Sequence, residues 1–386
     1  VDRVLKNSEE YKVPNSTAEQ LWKFMETDLT EAITSGKLTS KTSLEDRDGG
    51  TRATLEAARC LLGKIYLYQE KYADAKSELE KVISSGKYDL IADVSTFYHP
   101  ASAGCKEYVL ECVRHYDPSN MYSQEGWFGI LANWGFGYGF IAGPEASMHY
   151  KFNTTSGYSY FNPSKSLYDA FVAEEGADGY RLNAWIRTWE QVIAMNIAVN
   201  TTTNKYASEG YFRLKWLAST DDEFVGYWCG NQSNTPVIRY ADVLLMAAEA
   251  CLQAGDQAGA DEYLGRVRDR ARLPRKSHVT LSDIKLERRL ELAMEGMRFQ
   301  DLKRWGDAPA VLADKGKKLP TFQIVPDPNN DLTTAAGIYN ARYTTKTTYV
   351  DNEKSLAGWT PNRDEWLPFP ENELEVNSNL KQNPGY

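Results

Sequence analysis

One pattern constrains the fold of this chain more than any other. At residues 52–85 two apolar stripes recur at helical spacing, Ala58, Leu61, Leu62, Ile65 and Tyr66, then Tyr72, Ala75, Leu79, Val82 and Ile83. Small residues stand where two helices must approach, Gly63 and Ala75, and Tyr66 and Leu79 fill the space around them. Gly86 follows as a helix stop. The pattern returns at residues 241–271, with Ala248 in the place of Gly63, Ala260 in that of Ala75 and Leu264 in that of Leu79. Gly255-Asp256 supplies the turn between the two helices. A chain with such a pair at both ends of a long interval must build a helical frame and accommodate what lies between.

The spacing is that of a tetratricopeptide repeat, in which one unit cannot bury its own face and needs stacked neighbours. Two further helices are expected to supply them. Residues 16–34 carry Leu21, Met25, Leu29, Ala32 and Ile33 on one face, with Ser16 and Glu19 at capping-box spacing. Residues 282–305 read as one helix with Ser282 as N-cap and Leu286, Leu290, Ala293, Met294, Met297 and Trp305 on its apolar side. The rest of that helix is crowded with Glu287, Arg288, Arg289, Glu291, Glu295, Arg298, Asp301 and Arg304. Opposite charges three or four apart favour a helix, and they are read as a structural ion-pair network rather than a catalytic pair.

Between the repeats the composition changes. From Tyr122 to Phe161 there are 12 aromatic residues in 40, or 30%, against 12% for the chain, together with seven glycines and three charged residues. No helical period persists there, so the stretch is expected to be irregular. Residues 206–230 repeat the theme with Tyr206, Tyr211, Phe212, Trp216, Phe224, Tyr227 and Trp228. Some of these rings must pack as core, because an ordered loop has to bury something. The scarcity of charge and the abundance of glycine point to an exposed platform as well. Flat rings suit the C–H face of a sugar, and asparagines suit its hydroxyl edge. Covering roughly 100 Å² of apolar face is worth about 2.5 kcal/mol, so two or three rings, after the cost of association, give roughly micromolar to millimolar affinity. Asn120, Asn133, Asn153 and Asn162 are near enough in sequence to supply edge contacts. The candidate ligand contacts are Trp127, Asn133, Trp134, Phe136, Tyr138, Tyr158 and Trp228.

Other chemistries find little support. Net charge is −9 and the sequence pI about 5.2, which disfavours nucleic acid and anionic membrane surfaces. The longest strongly apolar run, Val243–Ala248, is far too short to span a bilayer. Five cysteines without a CxxC, and four histidines without HExxH, offer neither a disulfide framework nor a transition-metal site. Cys105 and Cys112 could pair only in an oxidising compartment. The "GFGYG" run at Gly135–Gly139 has neither a leading strand nor a following helix and is not a dinucleotide fingerprint. No cofactor, no metal and no catalytic residue is expected. Glu125 and Glu145 are the acids of the aromatic stretch, and a glycoside hydrolase would need two facing carboxylates.

Five blocks together carry a resemblance: "RATLEAARCLLGKIYLYQEKYADAKSELEKVISSGKYDL" (52–90), "RYADVLLMAAEACLQAGD" (239–256), "YLGRVRDRARLP" (263–274), "ERRLELAMEGMRFQDLKRWG" (287–306) and "LPFPENELEVNSNLKQNPGY" (367–386). They resemble the SusD/RagB family of outer-membrane nutrient-binding lipoproteins. The resemblance implies a non-catalytic protein on the outer face of the Bacteroidetes outer membrane. It would capture glycan, or in some branches peptide or another nutrient, and pass it to a SusC-like TonB-dependent porin. It also implies membrane attachment only through a lipidated N-terminal Cys that is not in this chain.

The expected architecture is mainly α: a tetratricopeptide-like helical scaffold with a long irregular, aromatic-rich insertion. As a single SusD-like domain over 1–386 it would divide into four parts. These are helices with the first repeat unit at 16–90, a ligand-facing insertion at 91–238, the second unit and charged helix at 239–306, and an irregular C-terminal segment at 307–386, with one helical turn at Glu371–Leu374.

Overall fold

The computed structural model describes residues 4, 6–113, 162–194, 209–215, 234–331, 333–334, 336–337, 342–353 and 357–386. Helices dominate. In chain order they are α1 (Ala18–Thr34), α2 (Leu55–Tyr68), α3 (Tyr72–Ser84), α4 (Lys165–Glu175), α5 (Tyr180–Trp185), α6 (Trp189–Ala194), α7 (Tyr240–Gln253), α8 (Gln257–Arg270), α9 (Leu281–Glu291), α10 (Arg298–Arg304), α11 (Ala308–Val311) and α12 (Glu371–Val376). Three antiparallel two-stranded ribbons accompany them: β1 (Tyr108–Cys112) with β4 (Thr235–Arg239), β2 (Ile186–Thr188) with β3 (Tyr211–Arg213), and β5 (Lys318–Pro326) with β6 (Tyr343–Asp351). Short 3-10 turns fill several of the connections.

The two repeat-like units are stacked directly, α3 packing against α7 although 155 residues of chain separate Ser84 and Tyr240. At the first unit the close approach is real. A Cβ at Gly63 would stand 2.8 Å from Leu79 Cγ, and Ala75 and Leu79 are fully buried. At the second, Ala248, Ala260 and Leu264 are fully buried, and Gly255 turns the chain at φ +84. Helix α7 is enclosed on every side, all residues from Tyr240 to Cys251 being buried. A helix buried all round belongs at the centre of a core; Val243–Ala248 is the apolar middle of this one, and its buried acids Asp242 and Glu249 are paired with Arg288 and Arg304. α1 lies at the edge of the stack. It packs on α2 without fully burying any residue, and Leu21 and Phe24 remain about half exposed.

Several local expectations give way to different chemistry. The capping box of α1 is Thr17 with Gln20, one residue later than the Ser16/Glu19 pair. The single helix over 282–305 is two. α9 starts from a Thr280–Asp283 capping box rather than from Ser282, and it stops at Glu291. The break follows from backbone conformation, because Met294 at φ +65 and Gly296 at φ +80 cannot continue a right-handed helix. Within the stretch expected to be irregular, residues 165–194 form α4, α5, β2 and α6. The C-terminal segment carries a nine-residue ribbon, β5–β6, paired from Lys318↔Asp351 to Pro326↔Tyr343. Cys60, Cys105, Cys112 and Cys251 are free thiols.

Candidate functional site

The seven predicted ligand contacts, Trp127, Asn133, Trp134, Phe136, Tyr138, Tyr158 and Trp228, lie outside the described residues, as do Glu125 and Glu145. The structure shows instead where the segments that bear them leave and rejoin the frame. Segment 114–161 leaves from β1 and segment 216–233 rejoins at β4. The last rung of that ribbon, Cys112↔Thr235, sets the two points side by side. Beneath the rung, Glu111 accepts hydrogen bonds from Asn234 Nδ2 and from the Gly104 N–H, both at 2.9 Å. Where segment 114–161 rejoins, the Lys165 N–H at the start of α4 donates to Glu209, just ahead of β3, at 2.5 Å. The Tyr349 hydroxyl of β6 donates to the other oxygen of Glu209 at 2.6 Å. Phe322 of β5 is wedged between Trp189 and Phe212 at centroid distances of 5.7 and 6.4 Å. Gly210 leaves room for it, since a Cβ there would come within 2.6 Å of the Phe322 ring.

Below these roots is a buried ionic core that joins the ribbons to the helix stack. Arg239, the last residue of β4, pairs with Glu107 at 2.6 Å, Glu291 at 3.0 Å and Glu295 at 2.6 Å. Arg270 of α8 pairs with Glu107 at 3.1 Å and Glu291 at 2.5 Å. Arg181 of α5 reaches Glu175, Glu287 and Glu291, and Arg268 reaches Glu174 and Glu287. Lys215 sits at the root of segment 216–233. Its ammonium pairs with Glu295 at 2.5 Å and lies 3.8 Å from the centre of the Trp185 ring. It also donates to the Glu291 and Ala293 carbonyls, at 3.0 and 3.1 Å, and Arg239 donates to the same Glu291 carbonyl at 3.1 Å. Two cations thus satisfy orphan carbonyls at the negative end of α9. One stands directly before segment 216–233 and the other five residues past Asn234.

The electrostatics follow from how many cations each acid meets. Glu291 is fully buried, which opposes ionisation, yet Arg270, Arg239, Arg181 and Lys215 hold its carboxyl well below the ordinary value. Glu107 is buried as deeply with Arg270 and Arg239 beside it and Glu291 repelling it, and there burial wins and its carboxyl is pushed up. Burial likewise lowers the Lys215 ammonium to about 8, against the pull of Glu295. A second cluster ties α7 to α9 and α10: Arg288 with Asp242 at 2.7 Å and Asp301 at 2.9 Å, and Arg304 with Glu249 at 2.5 Å. The charged face of 287–304 is therefore the structural network expected of it. Sequence reasoning missed Glu107, Arg181, Lys215 and Arg239 as its partners, and nothing in their spacing could have found them.

Among the described residues one group has metal-ligand geometry. Glu80, Cys251 and Asp256 bring their donor atoms within 4.8 Å of one another. It is served otherwise. The Lys76 ammonium stands 2.7 Å from Asp256 and 4.0 Å from Glu80, and burial raises the Cys251 thiol to about 12. A protonated thiol beside a resident cation is a poor metal ligand. The neighbouring cavity, about 570 Å³, is lined by Lys76, Ser77, Glu80, Lys81, Ser84 and Tyr263. No helix among the described residues is long and apolar enough to cross a membrane.

Comparison with known proteins agrees with this frame. Residues 106–386 match the SusD family. A SusD-like protein P2 of Formosa agariphila is 26% identical over 362 residues, covering 85% of this chain and 59% of that protein. A SusD-like protein of Bacteroides ovatus is 31% identical over 170 residues, covering 39% of this chain and 29% of that one. The chain thus spans less than two thirds of the curated relatives it matches. Among solved structures, a laminarin binding SusD-like protein superimposes with a TM-score of 0.74 at 26% identity, over 99% of this chain and 72% of the other. Surface glycan-binding protein A from Bacteroides fluxus gives 0.71 at 24% identity, over 97% and 72%.

Proposed function

Because this chain belongs to the SusD family, we propose that it captures oligo- or polysaccharide without cleaving it and hands the glycan to a TonB-dependent porin at the outer face of the outer membrane. The observation that carries this reading is the fit, along 99% of the chain, to a structure named as laminarin binding. Laminarin is accordingly the first ligand to try. The aromatic segments 114–161 and 216–233 supply the gripping rings, with Trp127, Asn133, Trp134, Phe136, Tyr138, Tyr158 and Trp228 as contacts. Rings bury the C–H faces of the sugar, and amides hydrogen-bond its edge. Such a grip needs preorganised loops, since loop ordering would otherwise consume the binding energy. The ionic core beneath the roots supports this by fixing where the segments start and end. The porin partner and lipid attachment come from family membership and join the proposal on that ground.

Calorimetric titration against a panel of soluble polysaccharides that includes laminarin, and against a mixed peptide library, tests the reading. Heat with at least one glycan, and no release of reducing sugar over hours, is the expected result. Tight peptide binding with no glycan response would replace glycan by peptide as the cargo. Sustained release of reducing sugar would make the protein a hydrolase.

A further inference from the structure

An aromatic shelf stands on the described surface and shares no residue with segments 114–161 and 216–233. Helix α10 contributes Phe299, 36% exposed, and the loop after β6 contributes Trp366 at 49% and Leu367 at 76%. Trp359 backs Phe299 at a centroid distance of 6.4 Å. Between the outer rings lies Lys303, its ammonium 5.5 Å from the centre of Phe299 and 5.8 Å from that of Trp366.

The shelf is held in place from both sides. α10 is anchored by Asp301 and Arg304 in the ionic cluster beneath it. The loop is pinned by its own hydrogen bonds. The Trp366 N–H donates to the Arg363 carbonyl at 2.9 Å, the Tyr386 hydroxyl donates to the Trp366 carbonyl at 3.2 Å, and Asn383 Nδ2 donates to the Leu367 carbonyl at 2.7 Å. Rings fixed in this way lose little freedom when something settles on them.

The polar groups point to the kind of molecule that fits. Lys303 has no carboxylate partner among the described residues, so its N–H groups remain available between two ring faces. Flat hydrocarbon faces with a free donor between them suit a ligand with C–H faces and hydroxyl edges. A purely apolar partner would cover the Lys303 ammonium and leave its N–H groups unsatisfied.

We propose that Phe299, Trp366 and Lys303 form a second carbohydrate contact, which holds a further stretch of the same polysaccharide that the primary segments grip. The inference rests on the glycan reading above. Two weak contacts on one long chain multiply in effect, since the second engages at a high local concentration. A short oligosaccharide that cannot reach both gains nothing.

The test uses laminarin polymer and laminarihexaose with wild type, Trp366→Ala and Lys303→Glu, the last of which leaves every ring in place. Retardation in native gels containing polymer is expected to weaken about tenfold in both variants as avidity is lost. Hexaose affinity by calorimetry and the thermal midpoint should stay at the wild-type values. Wild-type retardation in both variants would overturn the second contact while leaving the primary reading intact. Equal loss of polymer and hexaose binding would overturn it too, because the shelf would then be the primary site. Wild type that no polysaccharide in the panel retards would overturn both readings together.

Discussion

The helix stack and the ionic core beneath the ribbons are adjacent regions of one molecule held together by different physics. In the stack, Gly63, Ala75, Leu79, Ala248 and Leu264 interlock as apolar shapes, and each contact is repeated by the period of its own helix. In the ionic core, Glu107, Arg181, Lys215, Arg239, Arg270 and Glu291 come from six separate places in the chain and meet once. An apolar contact tolerates loss in proportion to the volume removed. A buried charge does not, because its partners are left uncompensated. The ionic core should therefore be brittle where the stack is graded, and it lies where the aromatic segments are rooted.

The largest effect is expected from Glu291→Gln. Arg239, Arg270 and Arg181 would lose their shared carboxylate, and breaking a buried network of this kind costs about 3–5 kcal/mol, read as the shift in the urea unfolding midpoint. The pH dependence carries the same information. Glu291 is held ionised in the folded chain, so as pH falls the unfolded chain takes up a proton first. Its stabilisation is complete above the unfolded value of about 4.3 and drains away below it. The gap between wild type and Glu291→Gln should close as pH is lowered through that region. A constant gap from pH 7 to pH 3 would show that the carboxylate charge is not what holds the core.

Leu79→Ala should cost about 2–5 kcal/mol, depending on how far the helices collapse into the space. Gly63→Ala should cost about 1–3 kcal/mol, because its Cβ would stand 2.8 Å from Leu79 Cγ. The double variant should cost less than the sum of the two, since the truncated Leu79 makes room for the new methyl. Simple additivity would mean that Gly63 serves another purpose than close approach. The smallest effect belongs to Arg275→Ala. Its pairs with Glu262 and Asp269 are about half exposed, and exposed pairs contribute about 0–1 kcal/mol. A loss comparable to Glu291→Gln would erase the distinction between buried and surface charge on which the comparison rests.

The same contrast explains what could be read in advance. Local periodicity revealed α2, α3, α7 and α8, because each carries its own apolar stripe. The break after Glu291 was hidden because Leu292, Ala293 and Met294 continue the apolar pattern while the backbone turns to positive φ at Met294. The β5–β6 ribbon was hidden in a C-terminal stretch whose Pro, Gly and Asn content reads as irregular, although Phe322 is anchored by Trp189 and Phe212 from distant segments. For the site, composition marked which segments carry rings. It could not mark Lys215 or Arg239, whose role depends on meeting the end of α9. The shelf of Phe299 and Trp366 joins residues 67 apart and was equally out of reach.

The measurement closest to the central claim is calorimetric titration of wild type and Trp134→Ala with laminarin, or with whichever polysaccharide of the panel gives the strongest response. The account predicts at least a tenfold weaker constant for the variant, about 1.4 kcal/mol, with an unchanged thermal midpoint. Equal affinity, repeated when Trp127→Ala and Trp228→Ala are titrated in turn, would contradict a grip by rings of these segments.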